Sequence, residues 1–254
     1  MSSQPFTTQE RTEALQNLGY TDREAAFLCL AALHGGYFLR RQYCAFIGKE
    51  LGGTASALAE KALSKGHATA ISALNNTKIY HLGSRPFYAL LGETDNRNRR
   101  EHAGAAIKKR LMGLDFVLVN PGKRYLATEG EKLDYFTETL GIASQELPCR
   151  RYISQKTPSI TDRYFVDKYP IFLSEPRPGQ PRLTASFCYV DEGSITLSGF
   201  ETYLQQYAPL WRRLPEFRVI FVADSRRLFD WANRRFTAFT GLLKRSELDP
   251  NALL

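Results

Sequence analysis

The stretch Thr54–Leu82, TASALAEKALSKGHATAISALNNTKIYHL, decides the fold of the first half of this 254-residue chain. From Thr54 to about Lys65, apolar residues at Ala55, Leu58, Ala59, Ala62 and Leu63 recur every three to four positions, the spacing of one buried helical stripe. The other face presents Thr54, Ser56, Ala57, Lys61, Ser64 and Lys65, and Gly66 supplies a stop. Thr69–Leu74 and Thr77–Leu82 then read as strands with Asn75-Asn76 between them. Asn tolerates positive φ, which a tight two-residue turn requires. The stretch is a helix followed by a β-hairpin.

Upstream, Thr21 and Glu24 have capping-box spacing, and Ala25, Leu28, Cys29, Ala32 and Leu33 form one apolar stripe. Gly35-Gly36 ends that helix, a short helix follows around Leu39–Ile47, and Gly52-Gly53 break the chain before the third. Three short helices and a hairpin is the element order of a winged helix-turn-helix. In that fold the third helix enters a DNA major groove and the hairpin lies along the backbone. On this expectation the small residues Thr54 and Ser56 permit close approach to bases, Lys61 and Lys65 meet phosphates, and Lys78 sits beside the wing turn. Glu60 on the same helix repels phosphate. Winged helices also serve as protein-interaction modules, so a recruitment adaptor is a further alternative.

Beyond the hairpin, Asp95–Leu118 reads as mostly helical, with a basic cluster of Arg97, Arg99, Arg100, Lys108, Lys109 and Arg110. Ile107, Leu111, Leu114 and Leu118 mark a buried face. Gly104 and Gly113 each cost a helix about 1 kcal/mol against Ala, and Phe116–Val119 has an alternative reading as a strand. These bases either lengthen a DNA footprint or form a solvated face. Thr128 and Glu131 repeat the capping-box spacing. The polar stretch Leu147–Thr161 is the expected boundary between a domain 1–146 and a domain 147–254.

The second half changes character. Tyr164–Leu173 and Leu183–Val190 are rich in aromatic and β-branched residues, as strands are, with a loop at Ser174–Arg182. Ser198 and Glu201 have capping spacing for a helix that buries Tyr203, Tyr207, Leu210 and Leu214. Phe217–Ala223 has the pattern of a strand covered on both faces. A last helix, about Ser225–Leu243, is expected to bury Phe229, Ala232, Phe236, Phe239 and Leu243. Its opposite face would carry Arg227 and Arg234 as a basic ridge for DNA or an acidic partner. Strand, helix, strand, helix implies a right-handed crossover and a parallel or mixed sheet, so the whole is α+β, with an α/β second half.

A metal-dependent nuclease of the restriction-endonuclease type needs an Asp on one strand, then an acid and a Lys on the next, around a divalent cation such as Mg²⁺. The candidates are Asp167 with Lys168, then Asp191 with Glu192. The acid-x-Lys spacing is missing, since the sequence runs Asp191-Glu192-Gly193-Ser194. A nuclease-like scaffold without activity, needing no cofactor, therefore stands ahead of an active nuclease. There is no G-x-S-x-G, H-E-x-x-H or P-loop motif. The four His lie in the first half without metal spacing, and no His cluster supports a tyrosine nucleophile. The four Cys read as free buried thiols.

The order of parts resembles the replication-relaxation-like winged-helix proteins of bacterial mobile elements. The resemblance is carried by REAAFLCLAALHGGYFLRRQYCAFIG, KALSKGHA with KIYHLGSRPFYALLG, and RYFVDKYPIFL with GFETYLQQYAPLWRRL and FRVIFVADS. It implies an N-terminal winged helix before a restriction-endonuclease-like α/β domain that is commonly degenerate. It further implies a role in maintenance, transfer or gene control of a plasmid or integrative element. Lys+Arg exceed Asp+Glu by 34 to 26, a formal charge of +8 that favours a polyanion. No run is long and apolar enough for a bilayer, and no leader pattern opens the chain. The expectation is a cytoplasmic protein that binds double-stranded DNA and, through its α/β half, a second copy or another mobile-element protein.

Overall fold

The computed structural model describes residues 6–50, 52–73, 75, 77–153, 160–175, 183–193 and 196–246, with side chains through 241. It is a mixed α and β protein of two compact units, Met1–Gly122 and Lys123–Leu254.

The first unit opens with α1 (Thr8–Gln16), which the periodicity does not announce because only Arg11 and Leu15 are buried on it. It forms through a capping box. Thr7 Oγ1 accepts from the Glu10 amide at 3.2 Å, and the Glu10 carboxylate accepts from the Thr7 amide at 2.7 Å. The expected Thr21/Glu24 box starts α2 (Asp22–Leu33) in the same way. Next come β1 (Tyr37–Phe38), α3 (Arg40–Ile47) and α4 (Gly53–Ser64). Ala55, Leu58, Ala59 and Ala62 of α4 are buried as expected, whereas Leu63 is half-exposed.

A hairpin of β2 (Ala68–Ser72) and β3 (Lys78–Leu82) follows. Its antiparallel ladder runs from Ala68–Leu82 to Ser72–Lys78, and β1 pairs with the free side of β3, giving the order β1-β3-β2. The expected strands reached closer to a two-residue turn. Instead the ladder stops at Ser72, Ala73 N–H bonds Thr77 O at 2.8 Å, and Asn75 takes the positive φ of 56°. Leu74 and Asn76 lie outside the described residues.

After α5 (Arg85–Leu90), the region expected to be one helix splits into a 3₁₀ turn at Arg97–Arg99 and α6 (Gly104–Val119), so Phe116–Val119 is helical. Asn98 causes the split. It is fully buried, its side-chain amide donates to the Ala32 and Leu33 carbonyls at 2.9 and 3.1 Å, and its own carbonyl meets His81 Nε2 at 3.0 Å. These bonds satisfy carbonyls left open at the end of α2. Gly36 (φ +79°) makes the approach possible, because a Cβ there would lie 2.5 Å from the Asn98 oxygen.

The second unit begins earlier than the boundary expected at 146/147. β4 (Arg124–Tyr125) pairs with β7 (Ile171–Ser174), and this pairing places the segment before the polar stretch with the second sheet. The Thr128/Glu131 box starts α7 (Glu129–Leu133), which runs on into a π turn at Asp134–Thr139. β5 (Cys149–Ile153) and β6 (Ile160–Tyr164) form a separate two-stranded ribbon. β8 (Thr184–Asp191), α8 (Ser198–Arg212), β9 (Phe217–Ala223) and α9 (Phe229–Ser246) complete the unit. The sheet order is β4-β7-β8-β9, antiparallel except for β8–β9, which are parallel across α8 as the crossover argument required. Phe187, Phe200, Tyr207 and Trp211 belong to its aromatic core.

Several expectations are corrected by the structure. Tyr164–Leu173 is not one strand, since Phe165 (φ 49°) and Lys168 (φ 62°) are left-handed and turn the chain between β6 and β7. Among the described residues β9 lies at one edge of the sheet and every residue of it is half-exposed, while β8 beside it is wholly buried. Ser198 is the first helical residue and not the cap, which is Leu197. Phe229 is 39% exposed, Phe236 and Phe239 are half-buried, and the Leu243 side chain lies outside the described residues. Cys149 is exposed, unlike Cys29, Cys44 and Cys188. Among the described residues no helix is long and apolar enough to cross a membrane.

Candidate functional site

In the first unit, α4 and the β2–β3 hairpin present the residues singled out for DNA, but the side chains divide into two groups. Thr54, Lys65 and Lys78 are exposed. Lys61 is committed elsewhere: its Nζ pairs with Glu24 at 2.6 Å, bonds Gly19 O at 3.4 Å and lies 5.6 Å from the Tyr20 ring centroid. Ser56 Oγ accepts from the Arg40 guanidinium at 2.8 Å. Glu60 remains exposed on the same helix. The face therefore has helix and hairpin side by side, with Lys65 and Lys78 as its outward cations from the expected set.

The basic cluster of this unit is more structural than its sequence implies. The guanidinium of Arg110 is held at 2.9 Å from both Asn98 Oδ1 and His102 Nε2. Burial, with Arg110 next, pulls the His102 pKa down to about 4, so its imidazole is a neutral acceptor. Arg99 Nε bonds Thr94 O at 3.1 Å. Arg97 and Lys109 are half-buried, whereas Arg100 and Lys108 are exposed.

In the second unit, Asp167 does not sit on a strand. It lies in the left-handed turn between β6 and β7, where Oδ1 accepts from Tyr169 N–H at 3.1 Å and Oδ2 accepts from the Tyr207 hydroxyl at 2.8 Å. Burial raises its pKa, with Lys132 the largest opposing influence. Asp191, at the end of β8, is 4% exposed and accepts from Gly193 N–H at 3.3 Å. Burial raises the Tyr169 pKa, and the charges of Asp167, Glu192 and Asp191 add to the rise. Among the described residues no three His, Cys, Asp or Glu are grouped to hold a metal ion.

Lys168 is half-exposed in the same turn. The lysine whose charge acts most on Asp167 is instead the buried Lys132 of α7, which the sequence reading missed. It is 3% exposed. Among the described residues its Nζ has no hydrogen bond or ion pair; it lies 5.6 Å from the Phe165 ring centroid and feels Asp167 at longer range. Burial, then the Lys168 charge, pull its pKa down from 10.5 to about 8. Helix α7 has five residues, too few for periodicity to show which of them turn inward.

Comparison with protein-family models, with curated proteins and with solved structures finds no match to this chain.

The expected ridge on α9 is only partly formed. Arg227 lies in the turn before the helix, and Arg234 lies on it, exposed. Arg235, not singled out in the sequence, reaches Glu201 at 3.0 Å.

Proposed function

We propose that this chain is a double-stranded DNA-binding protein whose first unit acts as a winged helix-turn-helix. The observation that carries the reading is the order α2-β1-α3-α4-β2-β3 with the sheet order β1-β3-β2. A two-residue strand between the first two helices completes the hairpin sheet beside α4, which supports a helix-in-groove, hairpin-on-backbone docking. Thr54 would approach base edges, and Lys65 and Lys78 would take phosphates. Lys61 and Ser56 would position α4. The second unit, on this reading a degenerate nuclease-like scaffold, would supply added backbone contact or a protein partner, in the service of a mobile element as the resemblance implies.

The test is retention of DNA fragments from the native gene neighbourhood by the purified protein. A specific fragment should be retained. Lys65→Glu with Lys78→Glu should weaken retention and lower the salt slope by about 0.9 for each phosphate no longer neutralised. Unchanged affinity and slope in the folded double variant would remove DNA from this face.

A second reading rests on one observation, the buried Lys132 within electrostatic range of Asp167, since an acid with a lysine is the pairing a hydrolytic centre uses to activate water. Incubation of plasmid, linear and single-stranded DNA with Mg²⁺ or Mn²⁺ separates the two. Cleavage abolished by Asp167→Asn would favour hydrolysis, and intact DNA favours binding alone.

A further inference from the structure

Helix α9 carries a second surface besides the one packed on β9. Trp231, Arg234 and Arg235 lie at i, i+3 and i+4 and, with Thr196, Ser198 and Glu201, line a solvent-open cleft of about 760 Å³. That volume is typical of small-ligand clefts, about 300–1,000 Å³. Trp231 is 56% exposed, and its indole meets no other ring among the described residues. Glu201, the carboxylate in the wall, is neutralised by Arg235 Nε at 3.0 Å. Arg234 is exposed and, among the described residues, has neither ion pair nor hydrogen bond. The Thr196 and Ser198 hydroxyls lie 3.0 Å apart on the opposite wall.

The cleft thus combines a bare π face, one uncompensated guanidinium a helical turn away, and two hydroxyls. A simple anion would leave the indole unused, and an apolar peptide would leave Arg234 desolvated without a partner. A planar base joined to a phosphate uses all of them, because bases stack on aromatic rings whatever their identity and Arg holds phosphate. We propose that this cleft binds a nucleotide unit, its base on Trp231 and its phosphate on Arg234 with the Ser198 and Thr196 hydroxyls. The site belongs to the second unit alone, and the proposal does not rest on the duplex reading of the first.

The full chain has two tryptophans, and Trp211 is 1% exposed, so a ligand-induced change in emission reports Trp231. The probes are dAMP and an oligothymidylate. Saturable quenching by either supports the proposal. Quenching by both marks a free-nucleotide site, and quenching by the oligomer alone marks a strand site. Trp231→Phe should abolish the emission change yet keep binding of a labelled oligomer or nucleotide measured by anisotropy. Trp231→Ala should weaken that binding by roughly tenfold or more, and Arg234→Glu should do the same. Lys65→Glu/Lys78→Glu protein should quench like the parent, so this proposal and the duplex reading fail separately. No saturable quenching by either probe, or undiminished binding in folded Trp231→Ala and Arg234→Glu proteins, overturns it.

Discussion

Lys132→Met tests whether the buried ammonium is stranded. Lys132 is 3% exposed, and burial takes its pKa from 10.5 to about 8. At about 1.4 kcal/mol per tenfold, that drop corresponds to about 3 kcal/mol of penalty for keeping the charge inside at pH 7. The folded-state pKa lies below the unfolded one, so between pH 8 and 10.5 the unfolded chain holds a proton that the folded chain has released. Stability therefore rises with pH across that window and the penalty vanishes above it. Met is unbranched, similar in length and uncharged. The variant should be more stable than the parent by up to about 3 kcal/mol at pH 7, less whatever Asp167 loses with its cationic neighbour. The gap should close as the pH passes 10.5. Urea unfolding followed by tryptophan emission from about pH 6 to about pH 11 reads this directly, because Trp211 and Trp231 both lie in the second unit. A variant less stable than the parent at pH 7, by an amount independent of pH, would refute the reasoning and show that the ammonium is paired.

Lys61→Ala should cost about 1–2 kcal/mol of stability, since it strips the partner from a Glu24 side chain only 11% exposed; in gel shifts it should leave the DNA salt slope unchanged where Lys65→Ala lowers it. Gly36→Ala should destabilise the first unit by about 2–4 kcal/mol in thermal melts, because φ is +79° and the new Cβ would meet Asn98 O at 2.5 Å. Tyr207→Phe removes the hydroxyl donated to Asp167 at 2.8 Å. It should cost about 1–2 kcal/mol and shift Asp167 protonation to still higher pH, visible by carboxyl NMR titration.

Local signals were legible in the sequence. The Thr21/Glu24 and Thr128/Glu131 boxes involve residues three apart, and the structure contains both. The apolar run Phe217–Ala223 announced a strand, and the strand-helix-strand order a parallel or mixed pairing, but the cover expected on both faces is absent, since every residue of β9 is half-exposed. What failed was long-range or conformational. Lys61 meets Glu24 across 37 positions, so its reading as a phosphate contact had no local sign against it. Asp167 left the strand because Phe165 and Lys168 adopt positive φ, a conformation no residue rule assigns to Phe or Lys. Asn98 broke the expected helix by reaching the end of α2, more than sixty residues away in sequence.

The Asn98 anchor also sets the terms on which its neighbouring arginines could meet an anion. A loop that orders only on binding pays ~1–2 kcal/mol of backbone entropy for each residue it fixes. Here the Asn98 main chain and side chain are both pinned, to Asn96, Ala32, Leu33 and His81. Arg97, Arg99 and Arg100 therefore leave from a backbone that folding has already immobilised. An anion meeting the exposed Arg100 would restrict only its side-chain rotamers, and its grip on that residue would be settled before the encounter.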